Sequence, residues 1–256
     1  MPSPFYFGTN LKMNQTPDET RAFVEQIVTS ISNLQSPISC QLWVIPSFTN
    51  IAVVAALCAQ HNIWLGAQNM HWADDGAFTG EISPVQLKAV GATLVMLGHA
   101  ERRMLFGETD EALNKKVLAA QRHGLRIMLC VGETVDEKQR GTGSAYVMRQ
   151  LMQDLAGLED PRGLLVLYEP VWSVGAGGTP ADPAYVIEAL ANIRRTLHQL
   201  FGDGGTTVPI LYGGSVNAEN CADYAHLPNC AGLGVGRAAW QVEGFLNVLS
   251  QSLHGE

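Results

Sequence analysis

The stretch RIMLCVG at 126–132, answered after an amphipathic interval by LLVLYEP at 164–170, decides the fold. Neither run alternates apolar with polar residues, so neither suits a strand with one wet face; continuous apolarity marks a strand buried on both sides. The same kind of run recurs as FYFGTN at 5–10, QLWVIP at 41–46, IWLGA at 63–67, TLVMLG at 93–98, VPILYGG at 208–214 and GLGVG at 232–236. Eight such strands separated by helix-length segments imply parallel pairing through right-handed crossovers. The expectation is one α/β domain over residues 1–256, a closed (β/α)8 barrel, for which about 250 residues suffice. An open dinucleotide-binding sheet is disfavoured because no GxGxxG follows the first run.

Helix signals support this order. TPDE at 16–19 offers Thr16 as cap, Pro17 at the first helical position and Glu19 to complete a capping box. A second helix is predicted from Thr109 to His123 with Gly124 as its stop, and a third from Asp182-Pro183 to Phe201. GDGG at 202–205 reads as a surface turn. AQNMHWADDGAFTGEIS at 67–83 is longer and less periodic than the other connections, and long ordered loops usually bind something.

Composition narrows the function. With 46% hydrophobic and 16% charged residues, the chain has the make-up of a globular protein. A formal net charge of −8 opposes binding to nucleic acid or anionic membranes. An anionic substrate therefore needs a strong local site. Five scattered cysteines without a CxxC pair suggest neither a disulfide framework nor a zinc site, and fit a reducing cytoplasm. MPSPFYFG lacks the cationic start of a secretory signal, and the longest apolar run, Ile51 to Ala59, is too short to span a bilayer.

Polar residues gather where the strands end, the place a barrel builds its active site. Asn10 and Lys12 follow the first strand, His99 the fourth and Glu169 the sixth. Taken singly, each has an ordinary structural explanation; their convergence on one barrel mouth is what points to chemistry. Glycine-bearing turns at VGAGG 174–178, YGGS 212–215 and GVGR 234–237 expose main-chain N–H groups that can cradle a phosphate. Two of them follow the seventh and eighth strands, the usual phosphate position in such barrels.

TNLKMN at 9–14, GAFTGEIS at 76–83, LGHAERR at 97–103, YEPVWSVGAGG at 168–178 and YGGSV at 212–216 resemble, in order and spacing, the triosephosphate isomerase family. The resemblance covers nearly the whole chain, and HAERR and YEPVW carry it most specifically. It implies Glu169 as general base, His99 as the neutral imidazole that polarises the carbonyl, Lys12 as the stabilising ammonium and Asn10 as a neighbouring polar contact. It implies Glu101 as a buried carboxylate supporting that network, and Arg102 and Arg103 in structural pairing. Gly175, Ser215 and Gly236 match its backbone phosphate donors, and Arg237 stands beside them. It implies a phosphorylated sugar substrate, neither cofactor nor metal, a loop at 170–178 that closes over the site, and a homodimer built through residues 67–83 with Thr79 near the partner's Asn10.

Several residues depart from the family pattern. Leu11, Ala100 and Gly178-Thr179-Pro180 differ without removing a catalytic role. In GVGRAAW at 234–240, Arg237 replaces a glycine and Trp240 a smaller aliphatic residue, which resembles a branch acting on L-erythrulose 1-phosphate. Arg237 can present its main-chain N–H unless that position requires positive φ. The expected reaction is first the interconversion of dihydroxyacetone phosphate and glyceraldehyde 3-phosphate, with the four-carbon reaction as the alternative. A catalytically silent phosphometabolite-binding protein is the reading from another class. A barrel aldolase would want a Schiff-base lysine or a metal cluster, and Lys12 is the lone strand-end lysine.

Overall fold

The computed structural model describes residues 4–32, 40–175 and 177–254. Met1–Ser3 of the N-terminal stretch and Ala176 of the 174–178 turn lie outside the described residues. Eight strands, β1 (Phe5–Asn10), β2 (Cys40–Ile45), β3 (Trp64–Ala67), β4 (Leu94–Leu97), β5 (Arg126–Val131), β6 (Leu164–Tyr168), β7 (Ile210–Tyr212) and β8 (Gly232–Val235), form a closed barrel. Every neighbouring pair is parallel, and β8 returns to pair with β1.

The helices between them are α1 (Pro17–Ser32), α2 (Ile51–Gln60), α3 (Pro84–Ala89), α4 (Ala100–Leu105), α5 (Asp110–Arg122) and α6 (Val135–Gln139). They continue as α7 (Gly143–Asp154), α8 (Pro183–Phe201), α9 (Asp203–Thr206), α10 (Cys221–Ala225) and α11 (Val242–His254). Their starts follow local chemistry. The Thr16 N–H donates to Glu19 Oε2 at 2.7 Å, Thr109 caps α5 by accepting from Ala112 N–H, and Asp182 accepts from Ala184 N–H ahead of Pro183. Gly124 ends the α5 segment at φ +63°, which costs glycine no side-chain clash.

GDGG at 202–205 is not a plain surface turn. Asp203–Thr206 form the one-turn α9, and Gly205 is buried with its carbonyl accepting from Arg194 at 2.7 Å. A Cβ on Gly205 would lie 2.0 Å from Leu197 O, so the glycine lets this turn pack directly on α8. That tertiary contact, absent from local turn signals, decides the conformation.

Period-two alternation sorts the strand residues into two apolar layers. Trp43 and Ile45, Leu94 and Met96, and Leu165 and Leu167 face the barrel interior. Their alternates, such as Leu42, Val44, Val95 and Val166, pack outward beneath the helices. Both faces of every strand are therefore dry, which is why the sequence runs are continuously apolar.

Candidate active site

A cavity of about 530 Å³ opens at the C-terminal ends of the strands. Asn10, Lys12, His99, Glu101 and Glu169 border it on one side, and Gly175, Ser215, Gly236 and Arg237 on the other. All nine candidate residues thus share one site.

The β1 end is the most constrained part. Asn10 is buried, and its Oδ1 accepts from Lys12 N–H at 2.9 Å and from Gln68 Nε2 at 3.2 Å. Gln68 Nε2 also donates to Lys12 O at 2.7 Å. Lys12 has φ +52°, a left-handed conformation that costs a non-glycine residue on the order of 1–3 kcal/mol. The Asn10 and Gln68 amides hold it there, so that Lys12 Nζ reaches Glu101 Oε1 at 2.6 Å. Trp240 adds a further tie, its indole Nε1 donating to Asn10 O at 2.9 Å.

His99 caps α4. Its Nδ1 accepts the Glu101 main-chain N–H at 3.2 Å, which assigns that nitrogen as unprotonated and leaves the ring proton on Nε2. Nε2 stands 3.5 Å from Glu169 Oε2. The ring therefore turns its Nε2 edge to the carboxylate across the site. Glu169 is almost fully buried, and its Oε1 accepts the Ala100 N–H at 2.7 Å. A main-chain donor makes this contact, so alanine at position 100 does not remove it. Beside Glu169, burial and the neighbouring carboxylate push the Cys130 thiol well up, which makes it a poor nucleophile.

Glu101 is not buried as expected: its side chain is 40% exposed while its carboxylate holds Lys12. The cause is its position in the first turn of α4, where the main chain points its side chain over the rim toward β1. Arg102 pairs with Glu108 at 3.3 Å, and Arg103 reaches Asp154 at 2.6 Å and Gly98 O at 2.8 Å.

The other side is built from turns. Gly175 has φ +89°, and a short 3₁₀ turn over Arg237–Ala239 begins at Gly236, leaving its first N–H groups without partners within the turn. Arg237 is not among the positive-φ residues, so its main chain takes this conformation without the glycine found elsewhere. Ser215 N–H donates to Ser173 Oγ at 3.0 Å, and Ser215 Oγ to Gly178 O at 3.2 Å. These two bonds tie the 170–178 loop to the turn after β7. At the loop's base, Trp172 Nε1 donates to Glu133 Oε1 at 2.9 Å, as does the Tyr185 hydroxyl, while Lys138 Nζ sits 3.3 Å from the Trp172 ring centroid.

From sequence, no role falls to Gln68, Ser173 or Glu133: Ser173 lies within YEPVWSVGAGG, Gln68 stands directly after the third strand in the 67–83 segment, and Glu133 belongs to no motif.

A family profile described as triosephosphate isomerase matches residues 5–252. An L-erythrulose-1-phosphate isomerase of Rhizobium etli is 43% identical over 249 residues, 96% of this chain and 91% of that protein. One of Mycolicibacterium smegmatis is 38% identical over 96% of this chain and 92% of its own. The crystal structure of triosephosphate isomerase from Bartonella henselae superposes with a TM-score of 0.87 at 32% identity, over 96% of this chain and 98% of that one. Fold, site and similarity agree, and this chain is an isomerase belonging to the triosephosphate isomerase family.

Proposed function

We propose that the protein interconverts L-erythrulose 1-phosphate and D-erythrulose 4-phosphate, moving a carbonyl by one carbon through an enediolate. The observation that carries this is the full-length similarity to proteins bearing the name L-erythrulose-1-phosphate isomerase in Rhizobium etli and Mycolicibacterium smegmatis. It reverses the order expected from sequence, where the three-carbon reaction came first. The chemistry is common to both. Glu169 takes the proton from the carbinol carbon beside the carbonyl; His99 Nε2–H and Lys12 stabilise the carbonyl oxygen as negative charge builds; His99 gives its Nε2 proton to that oxygen and takes the hydroxyl proton from the other; Glu169 returns the carbon's proton to the neighbouring carbon. No net oxidation occurs, because one carbonyl and one carbinol simply exchange places.

Two contacts must change for this to run. Glu169 has to give up the Ala100 N–H, and Ser215 N–H must leave Ser173 before it can serve a phosphate. Both are coupled to the 170–178 loop, whose closure would also keep water from the enediolate. Asn10 and Glu101 act by holding Lys12, and Gly175, Ser215, Gly236 and Arg237 supply the phosphate cradle.

The test compares kcat/KM for L-erythrulose 1-phosphate and dihydroxyacetone phosphate on one preparation. The four-carbon substrate is expected to lead at least tenfold, about 1.4 kcal/mol of differential transition-state binding. An equal or reversed ratio returns the assignment to the three-carbon reaction.

The same proposal includes a homodimer in a reducing cytoplasm. The 74–80 segment stands exposed at the end of the long loop, and Met13, beside the catalytic Lys12, is 96% exposed. Leu105 and Phe106, at the C-terminal end of α4, are also bare. Large apolar side chains near a site usually await a partner surface. The proposal seats residues 67–83 of each chain against the other's β1 end, with Thr79 near Asn10 of the partner subunit. Sedimentation is expected to give a dimer, and Phe78→Asp to shift it toward monomer with a drop in activity. A fully active monomer would contradict this.

A further inference from the structure

The catalytic side chains stand on a floor that none of the chemistry above uses. Asn10 pairs in register with Ile45, and one inward step below them Gly8 pairs with Trp43. Leu167 lies one inward step below Glu169 on β6, and Met96 touches Asn10 through its sulfur, which accepts from Asn10 Nδ2 at 3.3 Å. Trp43, Met96 and Leu167 line the bottom of the substrate cavity.

Glycines on the facing strands make room for this floor. A Cβ on Gly8 would fall 2.4 Å from the Trp43 ring, and one on Gly234 would meet Leu167 at 2.9 Å and the far edge of the Trp43 ring at 3.5 Å. Gly213 would likewise strike Leu167 at 2.9 Å. The indole thus lies across β1 and reaches β8, meeting Leu167 from the opposite side. Trp43 is fully buried, and its N–H has no acceptor among the described residues. Packing against glycine, rather than a hydrogen bond, holds the ring.

We propose that Trp43, backed by Leu167, is a specificity-determining residue that sets the depth of the cavity and so the longest carbon chain the enzyme accepts. This rests on the reading of the site as one for a ketose phosphate. The phosphate cradle lies on the loops after β6, β7 and β8, and the two carbons that exchange the carbonyl must lie between Glu169 and His99. Any further carbon extends beyond that pair, away from the phosphate, toward the floor. A ring that spans three strands there admits one hydroxymethyl group and stops the chain.

The experiment measures kcat/KM for L-erythrulose 1-phosphate and for a five-carbon probe with the same configuration at C3, L-ribulose 1-phosphate, on wild type, Trp43→Leu and Trp43→Phe. Trp43→Leu is expected to raise the five-carbon to four-carbon ratio at least tenfold, and Trp43→Phe, which removes less volume, at least twofold in the same direction. A folded Trp43→Leu enzyme with a ratio within twofold of wild type overturns the proposal. Should that variant not fold, Trp43→Phe decides, and an unmoved ratio sinks the idea. A wild type that prefers dihydroxyacetone phosphate would defeat the substrate reading instead. The depth ratio, then taken between four-carbon and three-carbon substrates, still tests Trp43 by itself.

Discussion

Glu169→Gln is expected to lower kcat about a thousandfold, within the range of ~10²–10⁴ that a positioned general base contributes. At 1.36 kcal/mol per tenfold, that is about 4 kcal/mol of transition-state stabilisation. Glutamine keeps the shape of glutamate, and its amide oxygen can still accept the Ala100 N–H that Glu169 holds at 2.7 Å. The melting temperature should therefore stay near that of wild type while the proton-accepting oxygen is lost. Phosphate affinity should also survive, because the cradle residues lie on other turns. Turnover within tenfold of wild type would show that another group is the base.

The second large effect is on stability. Arg103 Nε donates to Gly98 O, its NH2 group bonds Cys130 O and the fully buried Asp154, and its NH1 group bonds Asp110. Arg103→Met keeps the aliphatic stem but strands Asp154, one of whose carboxylate oxygens already has no partner among the described residues. Removing one member of a buried pair costs about 3–5 kcal/mol, which in a chain of this size lowers Tm by roughly 10 °C.

The pH dependence has a definite sign. Burial raises the Asp154 carboxyl from its ordinary 3.8 to about 7, the Arg103 guanidinium opposing but not overcoming this. The folded protein thus binds that proton more tightly than the unfolded chain does. The resulting stabilisation is complete below the unfolded value and is lost as pH rises through about 7. Without Arg103 the folded value climbs further, so a protonated Asp154 relieves more of the damage in acid. The deficit of Arg103→Met against wild type is expected to be larger at pH 8 than at pH 5. A Tm difference that is flat across that range would remove Asp154 from the account. Because Gly98 precedes His99, the variant should also lose activity at temperatures where it remains folded.

The barrel was legible because both faces of its strands are dry. Runs such as RIMLCVG and LLVLYEP carry that information locally, and Thr16, Thr109 and Asp182-Pro183 announce helix starts through bonds to residues two or three positions away. Lys12, His99 and Glu169 were legible for a related reason: a polar side chain directly after a continuous apolar run stands at a strand end, and in a closed barrel all strand ends meet. The exposure of Glu101 was not. It depends on where the first turn of α4 points relative to β1, and no local pattern encodes that angle.

By itself, then, the sequence determined which segments are strands, their parallel order, and the set of side chains that converge at the mouth. These follow from short-range rules of burial, capping and alternation. Tertiary structure decided what those side chains do to one another. The left-handed Lys12 is held by Gln68, fifty-six positions away, and Ser215 N–H is occupied by Ser173. The cavity floor exists because Gly8, Gly213 and Gly234 leave space for Trp43 and Leu167. Each of these is a contact between strands or loops far apart in the chain, set by barrel register rather than by neighbours in sequence. On the proposal made above, substrate length depends on such contacts, since a triose and a tetrulose phosphate differ by one hydroxymethyl group and several distant elements enclose the space proposed to hold it.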